Sequence, residues 1–404
     1  MSVNRIAATR VPDNLPDDSA DHHARPLLLA RPPGQARPGI LHVVLSLQPG
    51  GTEHLVIEMC KRMTAFAPTV CCLDDEGEWA AGLKARGIEV VALHRGAGFR
   101  PDLGRRIARL ALDRGAGLLH CHQYSPFVYG RIATYWSPRL QLVYTEHGRL
   151  SDAPPTWKRQ LANRILSIGD GSIVAVSHEL RRYMIDSRFP DHRVEVIHNG
   201  IDIGTLPSLE ERWHARRALG LEDDALVVAT VARLDPVKDL GTLLEAFVLL
   251  HRQVPHARLL IVGDGPEYGD LMERASRADL AGLVHMTGYR ADVRALLPAA
   301  DVYASSSISE GVSLTILEAM GAGVAVVATA VGGSPEVLPD DSVGVLVPSR
   351  DPVRLAAAII ALAGDRPRLA AVARGGRQRL ESAFTIDRMV GDYERIYRRR
   401  LAIT

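Results

Sequence analysis

The stretch SISEGVSLTILEAMGAG, Ser307 to Gly323, sets Glu310 just before a glycine and Glu318 eight residues later, inside an apolar segment of helical spacing. What two carboxylates on either side of a Gly-Val-Ser turn would serve depends on what the rest of the chain builds around that turn. Taken singly, each fits a solvated helix or loop residue. A second pair lies upstream. In TVARLDPVKDLGTLLEAF a strand ends at Ala232, and Arg233 and Lys238 flank the start of the next helix. Two cations at a helix N-terminus oppose the local dipole unless an anion sits between them. They are either solvated surface charges or the holders of a diphosphate, for which Arg offers a planar fork and Lys a point charge.

Glycines punctuate the remaining candidate loops. In SLQPGGTEHLVIEM, Gly50 and Gly51 end a strand and open a helix, which suits either a tight turn or close backbone approach to an anionic ligand. LLIVGDGPEYGDLM supplies Gly263 and Gly265, and HMTGYRADV supplies Gly288. No G-x-G-x-x-G occurs and no lysine follows a glycine, which counts against dinucleotide and P-loop readings. No Asp-x-Asp pair occurs either, so a divalent ion held on a nucleotide by that layout is not expected.

The elements that must position these residues alternate. Strands are expected at 40–47, 88–93, 117–121, 141–145, 172–176 and 194–197, then a second series at 225–232, 257–262, 283–287, 300–304, 324–328 and 343–347, with helices between them. This pattern predicts an α/β protein with two doubly wound Rossmann-like domains. The expected boundaries are a disordered tail at 1–38, a first domain at 39–205, a second at 206–384, and a terminal helix at 385–404. In that helix apolar residues at 386, 389, 390, 393, 396 and 397 would pack back toward the first domain. Ligands of such sheets bind beyond the strands' carboxyl ends, so chemistry should collect in strand-to-helix loops facing a cleft between the domains.

The chain's 404 residues are 47% hydrophobic, with a net charge of +1, so composition gives no pull toward nucleic acid. The cysteines Cys60, Cys71, Cys72 and Cys121 show no C-x-x-C spacing, and no apolar run approaches the roughly 20 residues that cross a bilayer. A cytoplasmic setting fits, with association at the inner face of a membrane as an option. Of the 48 basic residues only Lys61, Lys84, Lys158 and Lys238 are lysines, so a lysine inside a motif stands out.

The set PGGTEH, TEHG, VIHNGID, VARLDPVKD, VGDGPE, TGYRADV and SEGVSLTILEAMGAGVAVVATAVGGSPEVL resembles the retaining nucleotide-sugar glycosyltransferases of the GT-B fold, family GT4, from about residue 40 to 400. The match is most specific in the second half. Glu310 and Glu318 fall on that family's E-x7-E signature. The resemblance implies that Glu318 takes ribose hydroxyls and Glu310 hydroxyls of the transferred sugar. Gly311 would let the turn come close, with the N–H groups of Val312, Ser313 and Leu314 meeting the β-phosphate. Arg233 and Lys238 would neutralise the leaving diphosphate in place of a metal. Gly263 would line the nucleotide face, Gly288, Tyr289 and Arg290 would take the base through main-chain contacts, and Gly50 and Gly51 would close over the donor. His147 of TEHG falls at the family position near the reacting sugar; the alternative is a histidine satisfied at a strand end.

Three features depart from that frame or lie outside it. Many relatives carry an aromatic residue followed by a small residue or proline after the E-G pair, where this chain has Val312-Ser313. His120 and His122 in HCHQYSP are expected to alternate faces at a strand end and so not to share a metal. Across residues 156–168, Trp157, Leu161, Ile165 and Ile168 form one stripe beside Lys158, Arg159 and Arg164. Packing of the stripe on the domain's own sheet is the preferred expectation, and contact with an anionic membrane is the alternative.

The resulting expectation is a metal-independent, retaining hexosyltransferase that needs no cofactor. Its donor would be a nucleoside diphosphate sugar, UDP- or GDP-linked, and its acceptor a glycan or lipid-linked hydroxyl in polysaccharide, lipopolysaccharide or glycolipid assembly. The alternatives are a nucleotide-sugar 2-epimerase of the same fold and a sugar-nucleotide-binding protein without turnover.

Overall fold

In the computed structural model of the chain, residues 37–149 and 155–403 are described. The tail expected at 1–38 lies outside them except for its last two residues. The first sheet contains β1 (Gly39–Val44), β2 (Ala67–Cys72), β3 (Val90–Ala92), β4 (Ala116–His122), β5 (Gln141–Glu146), β6 (Ser172–Ala175) and β7 (Val194–Val196). Its order is β3-β2-β1-β4-β5-β6-β7. The second contains β8 (Leu226–Val231), β9 (Ala257–Val262), β10 (Val284–Met286), β11 (Val302–Ser305), β12 (Ala325–Thr329) and β13 (Val345–Val347). Its order, β10-β9-β8-β11-β12-β13, repeats the first sheet's without the seventh strand. Every pairing among these strands is parallel. Two doubly wound α/β domains are therefore present, as the alternation predicts.

Burial on both faces explains the near-continuous apolar strands. In β8, Val227, Ala229 and Val231 enter one core, while Leu226 and Val228 enter the core on the opposite face. In the first sheet, Leu41 and Val43 of β1 face one layer. Ile40 faces the other, where the helix Ile386–Leu401 covers it with Ile386, Met389, Val390, Tyr393, Ile396 and Tyr397. These are the apolar positions the sequence marks, and they complete the first domain's core. Strand β2 was not expected. Its sequence, APTVCC, has a proline at the second position and a pair of cysteines in place of β-branched residues.

The chain crosses between the domains twice, and the crossings are tied together. Ile201 N–H donates to Phe384 O at 2.9 Å, and Ile386 N–H donates to Ile201 O at 2.8 Å. Glu336 of the second domain adds a clasp. Its carboxylate accepts from the N–H groups of His178 (2.9 Å) and Glu179 (3.1 Å) at the start of the helix His178–Asp186, and it meets His198 Nε2 at 2.8 Å.

Candidate active site

Strand order reverses between β8 and β11, which is where a doubly wound sheet opens a crevice. The loops leaving these two strands carry Arg233, Lys238 and Glu310. Lys238 Nζ donates to Glu310 Oε1 at 2.6 Å, and Ser307 Oγ donates to the same oxygen at 2.7 Å. The loops are also stitched along their backbones: Ser306 Oγ donates to Lys238 O and Ile308 N–H to Val237 O, each at 2.9 Å. Beneath them Tyr303 donates to Val231 O at 3.1 Å and meets Thr315 Oγ1 at 2.7 Å, forming the floor of a cavity that Lys238, Ser307 and Glu310 line.

The open helix end flanked by two cations, expected from the sequence, is not what the chain forms. Neither cation is left facing an open helix end. Arg233 pairs with Asp235 at 3.2 Å while its side chain is 71% exposed, and Lys238 pairs with Glu310. Lys238 lies in a short 3-10 turn, Pro236–Lys238. The helix behind it, Leu240–Gln253, is capped by Asp239, which adopts left-handed backbone angles and accepts from Thr242. The protein's own carboxylates thus hold both cations. An incoming diphosphate could add to Lys238, whose ammonium has three donors, and recruit the exposed Arg233.

The helix Leu314–Gly321 starts at Ser313 without a side-chain cap, since Ser313 Oγ meets Thr315 Oγ1 instead. Asn199 Nδ2 holds the Val312 carbonyl at 3.0 Å. Glu318, in the helix's second turn, lines a different crevice with Arg294, Ile201, Gly204 and Pro207. Burial pushes its carboxyl up to about 7, opposed by the charge of Arg294.

The first domain meets this turn through glycines. A Cβ at Gly311 would overlap the carbonyl of His147, and one at Gly333 the carbonyl of Gly311. Gly51 abuts Leu314 across the interface. Gly50 leaves room for the Glu53 carboxylate, which burial pushes up while nearby Arg233 holds it down. Gly263 and Gly265 serve a different approach: side chains there would strike Ala232 and Leu234, so they let the β9 loop lie against the one carrying Arg233. Gly288, at φ 71°, accepts from Gly263 N–H at 2.9 Å. Tyr289 is half exposed and faces Glu78 and Trp79 of the first domain. Arg290 is held by both oxygens of Asp292.

With this geometry, the profile described as Glycosyltransferase Family 4 matches residues 49–205, and that described as Glycosyl transferases group 1 matches residues 225–365. A D-inositol 3-phosphate glycosyltransferase of Salinispora arenicola is 30% identical over 72% of this chain and 71% of its own length. The chain belongs to the family 4 glycosyltransferases. The enzyme of the same name from Mycolicibacterium vanbaalenii is 31% identical over 69% of this chain, and the N-acetyl-alpha-D-glucosaminyl L-malate synthase of Bacillus anthracis 25% over 73%. The chain spans 66% and 78% of the lengths of these two relatives. HepE of Anabaena, crystallised with UDP and glucose, superposes with a TM-score of 0.81 at 24% identity over 89% of this chain and 99% of its own. Sucrose-phosphate synthase of Thermosynechococcus elongatus gives 0.75 at 20% identity, over 91% of this chain and 100% of its own. Both share the GT-B fold.

On the first-domain side of this family 4 chain, two sequence expectations change. His120 and His122 share a face, because strand side chains repeat every two residues. They lie with His42 under the Ile386–Leu401 helix, where His120 bonds Tyr397 through Nδ1 and Thr145 through Nε2. Ligating atoms of His42, His120 and His122 fall within 4.8 Å of one another, but hydrogen bonds already occupy both nitrogens of His120. The stripe at 157–168 does not pack inward. Trp157, Leu161, Ile165 and Ile168 are 50–70% exposed, and the buried member of the helix Trp157–Leu166 is Asn163. No helix among the described residues is long and apolar enough to cross a membrane.

Sequence reasoning passed over Glu53, His54, Glu146 and Arg294. Glu146 sits beside His147 within TEHG, accepts from Tyr144 (2.5 Å) and from His147 N–H (3.2 Å), and is pushed up by burial. Its signal was present, a carboxylate next to the quoted histidine. Arg294 had none, since only the fold brings it to Glu318.

Proposed function

We propose that the chain transfers a hexosyl group from a UDP- or GDP-linked donor to a hydroxyl acceptor, with retention of anomeric configuration and without a metal. The observation that carries this reading is the Lys238–Glu310 pair at the second sheet's switch point, beside a helix start with no side-chain cap. A β-phosphate at that helix start would meet the N–H groups of Val312, Ser313 and Leu314. Lys238 and Arg233 would take up negative charge as it grows on the departing diphosphate, which is the role a metal otherwise fills. Glu310 would hold the sugar's hydroxyls, Glu318 the ribose, and the Gly288–Arg290 loop the base. HepE's bound UDP and glucose favour uridine and a glucose-like sugar for the donor.

For the acceptor, the exposed Trp157 stripe favours a lipid-linked hydroxyl at a membrane face, in polysaccharide, lipopolysaccharide or glycolipid assembly. The names of the curated relatives, with inositol phosphate and malate, favour a small soluble acceptor as the second reading. A screen of nucleotide sugars by thermal shift, followed by product analysis in excess EDTA, tests the proposal. Free nucleoside diphosphate plus an α-configured glycoside is expected from an α-linked donor. A new nucleotide sugar would point to epimerisation instead. Turnover that chelation abolishes and magnesium or manganese restores would overturn the metal-free reading.

A further inference from the structure

Three imidazoles run in line through the first domain toward the domain seam. His42 Nδ1 meets His122 Nε2 at 3.1 Å, and His122 Nδ1 meets His147 Nε2 at 3.1 Å. His42 lies on β1 and His122 at the end of β4, the two strands flanking the first sheet's switch point, and His147 directly follows β5. The bonded rings are close to parallel, with interplanar angles of 17° and 25° and centroid spacings of 5.4 Å for each pair, as bonds between ring edges require. The outer nitrogens, His42 Nε2 and His147 Nδ1, are both buried without a hydrogen-bond partner among the described residues. His147 is also the residue whose carbonyl touches Gly311, which sets the end of the row beside the loop that carries Glu310.

Proton counting constrains such a row tightly. A neutral imidazole carries one N–H, and each N···N bond needs one proton. Because both bonds join an Nδ1 to an Nε2, the middle ring can serve both only if all three rings share a tautomer. Either all three are Nε2–H, leaving His147 Nδ1 a bare acceptor, or all three are Nδ1–H, leaving it a donor. Burial supports neutrality: His42 and His147 are pushed down to about 3, and His122 well below the usual histidine range. An isolated imidazole side chain prefers the Nε2–H form, and the row adds that preference over three rings.

We infer that His42, His122 and His147 form a neutral imidazole wire, locked in the Nε2–H tautomer, that presents the Nδ1 lone pair of His147 to a hydroxyl of the bound sugar. His42 and His122 are then positioning residues, acting through His147. The bonding pattern is independent of the transferase reading. The assignment of a sugar hydroxyl to His147 rests on it.

The test begins with the intact chain labelled with 15N-histidine and needs no substrate. Long-range proton–nitrogen spectra, assigned with His42→Gln, His122→Gln and His147→Gln, should show all three rings neutral and Nε2–H from pH 5 to 8. One ring in the Nδ1–H form, a cationic ring at pH 6, or a stoichiometric metal ion bound to these histidines overturns the wire, whatever the protein catalyses. Substitution of the middle ring then separates positioning from packing. In His122→Gln the amide oxygen can accept from His147 and the amide N–H donate to His42, so the His147 tautomer should survive. In His122→Leu it should become mixed. With a donor accepted by the wild type, His122→Leu should lower kcat about tenfold, the low end of what losing a partner behind a functional imidazole costs at metal centres. Donor KM should hold, and His122→Gln should recover most of the loss. Equal kcat in the two variants alongside an intact wire would remove the sugar contact but leave the bonding pattern standing.

Discussion

The two domains use one strand order to build opposite kinds of loop. At the second sheet's switch point the side chains are charged and paired, Lys238 with Glu310 and Arg233 with Asp235. At the first sheet's switch point they are neutral imidazoles bonded to one another, and the carbonyl of the last, His147, touches Gly311. A phosphate-bearing ligand needs counter-charge, which the second domain holds ready in ion pairs that the ligand can share. A hydroxyl needs an oriented lone pair or N–H, and a buried ionised group facing it would cost several kcal/mol. On the proposed reading, electrostatics govern the grip on the diphosphate, and tautomer and shape govern the grip on the sugar hydroxyl.

The largest expected effects come from breaking the charged half. Lys238→Ala should lower the single-turnover transfer rate by about 10²–10³, as losing one preorganised charge-stabilising group does elsewhere, while binding of the intact donor changes less. Glu310→Ala should depress transfer to a similar degree yet leave nucleoside diphosphate binding near normal. Glu318→Ala should weaken that binding. Calorimetry with the diphosphate alone distinguishes the two glutamates. If Glu310→Ala is the variant that loses the nucleotide, the division between sugar loop and ribose helix is wrong.

A smaller effect tests Glu318 through pH. Its carboxyl titrates at about 7 in the folded chain against 4.5 in the reference state. The folded protein therefore holds the extra proton between those values, and stability falls as pH rises through that window. Glu318→Gln should remove this slope and stabilise the ligand-free protein at pH 8 by at most about 3 kcal/mol, read as a rise in Tm. Ribose hydroxyls prefer the carboxylate, so wild-type affinity for the diphosphate should rise by up to about tenfold from pH 6 to 8, and the variant should be flat. A flat wild-type profile would place the ribose elsewhere.

Much of the charged half was legible because its motifs are contiguous: Glu310 to Glu318 spans one loop and helix, and Arg233 to Lys238 one turn. The sequence could not show that Lys238 and Glu310, 72 residues apart, would neutralise each other, since that depends on β8 and β11 being neighbours. The neutral half was least legible. His42 lies within β1, His122 ends β4 and His147 follows β5, and no one short motif contains all three. Even the local error over His120 and His122 came from misapplying a period of two. Strand β2 was hidden by Pro68, while the terminal helix was read well because six apolar positions keep helical spacing over a long stretch.

The smallest expected effect on the fold comes from the Trp157 stripe, and its smallness is what makes it informative. A buried leucine or tryptophan replaced by a polar residue costs several kcal/mol, whereas a surface substitution stays within about 0.5 kcal/mol. Trp157→Ser with Leu161→Ser should therefore leave Tm unchanged, because 70% and 51% of these residues is already in water. It should also leave transfer to a water-soluble acceptor unchanged. Binding to vesicles containing anionic lipid should be strong for the wild type at low salt, fall as salt screens Lys158, Arg159 and Arg164, and drop sharply in the double variant. A wild-type protein that ignores such vesicles at low salt would leave the stripe without a membrane role and favour the small soluble acceptor. A stability loss of about 2 kcal/mol or more, read as a fall in Tm of the variant, would instead mean that the helix packs against the chain in solution, which would restore the inward-facing reading of the sequence.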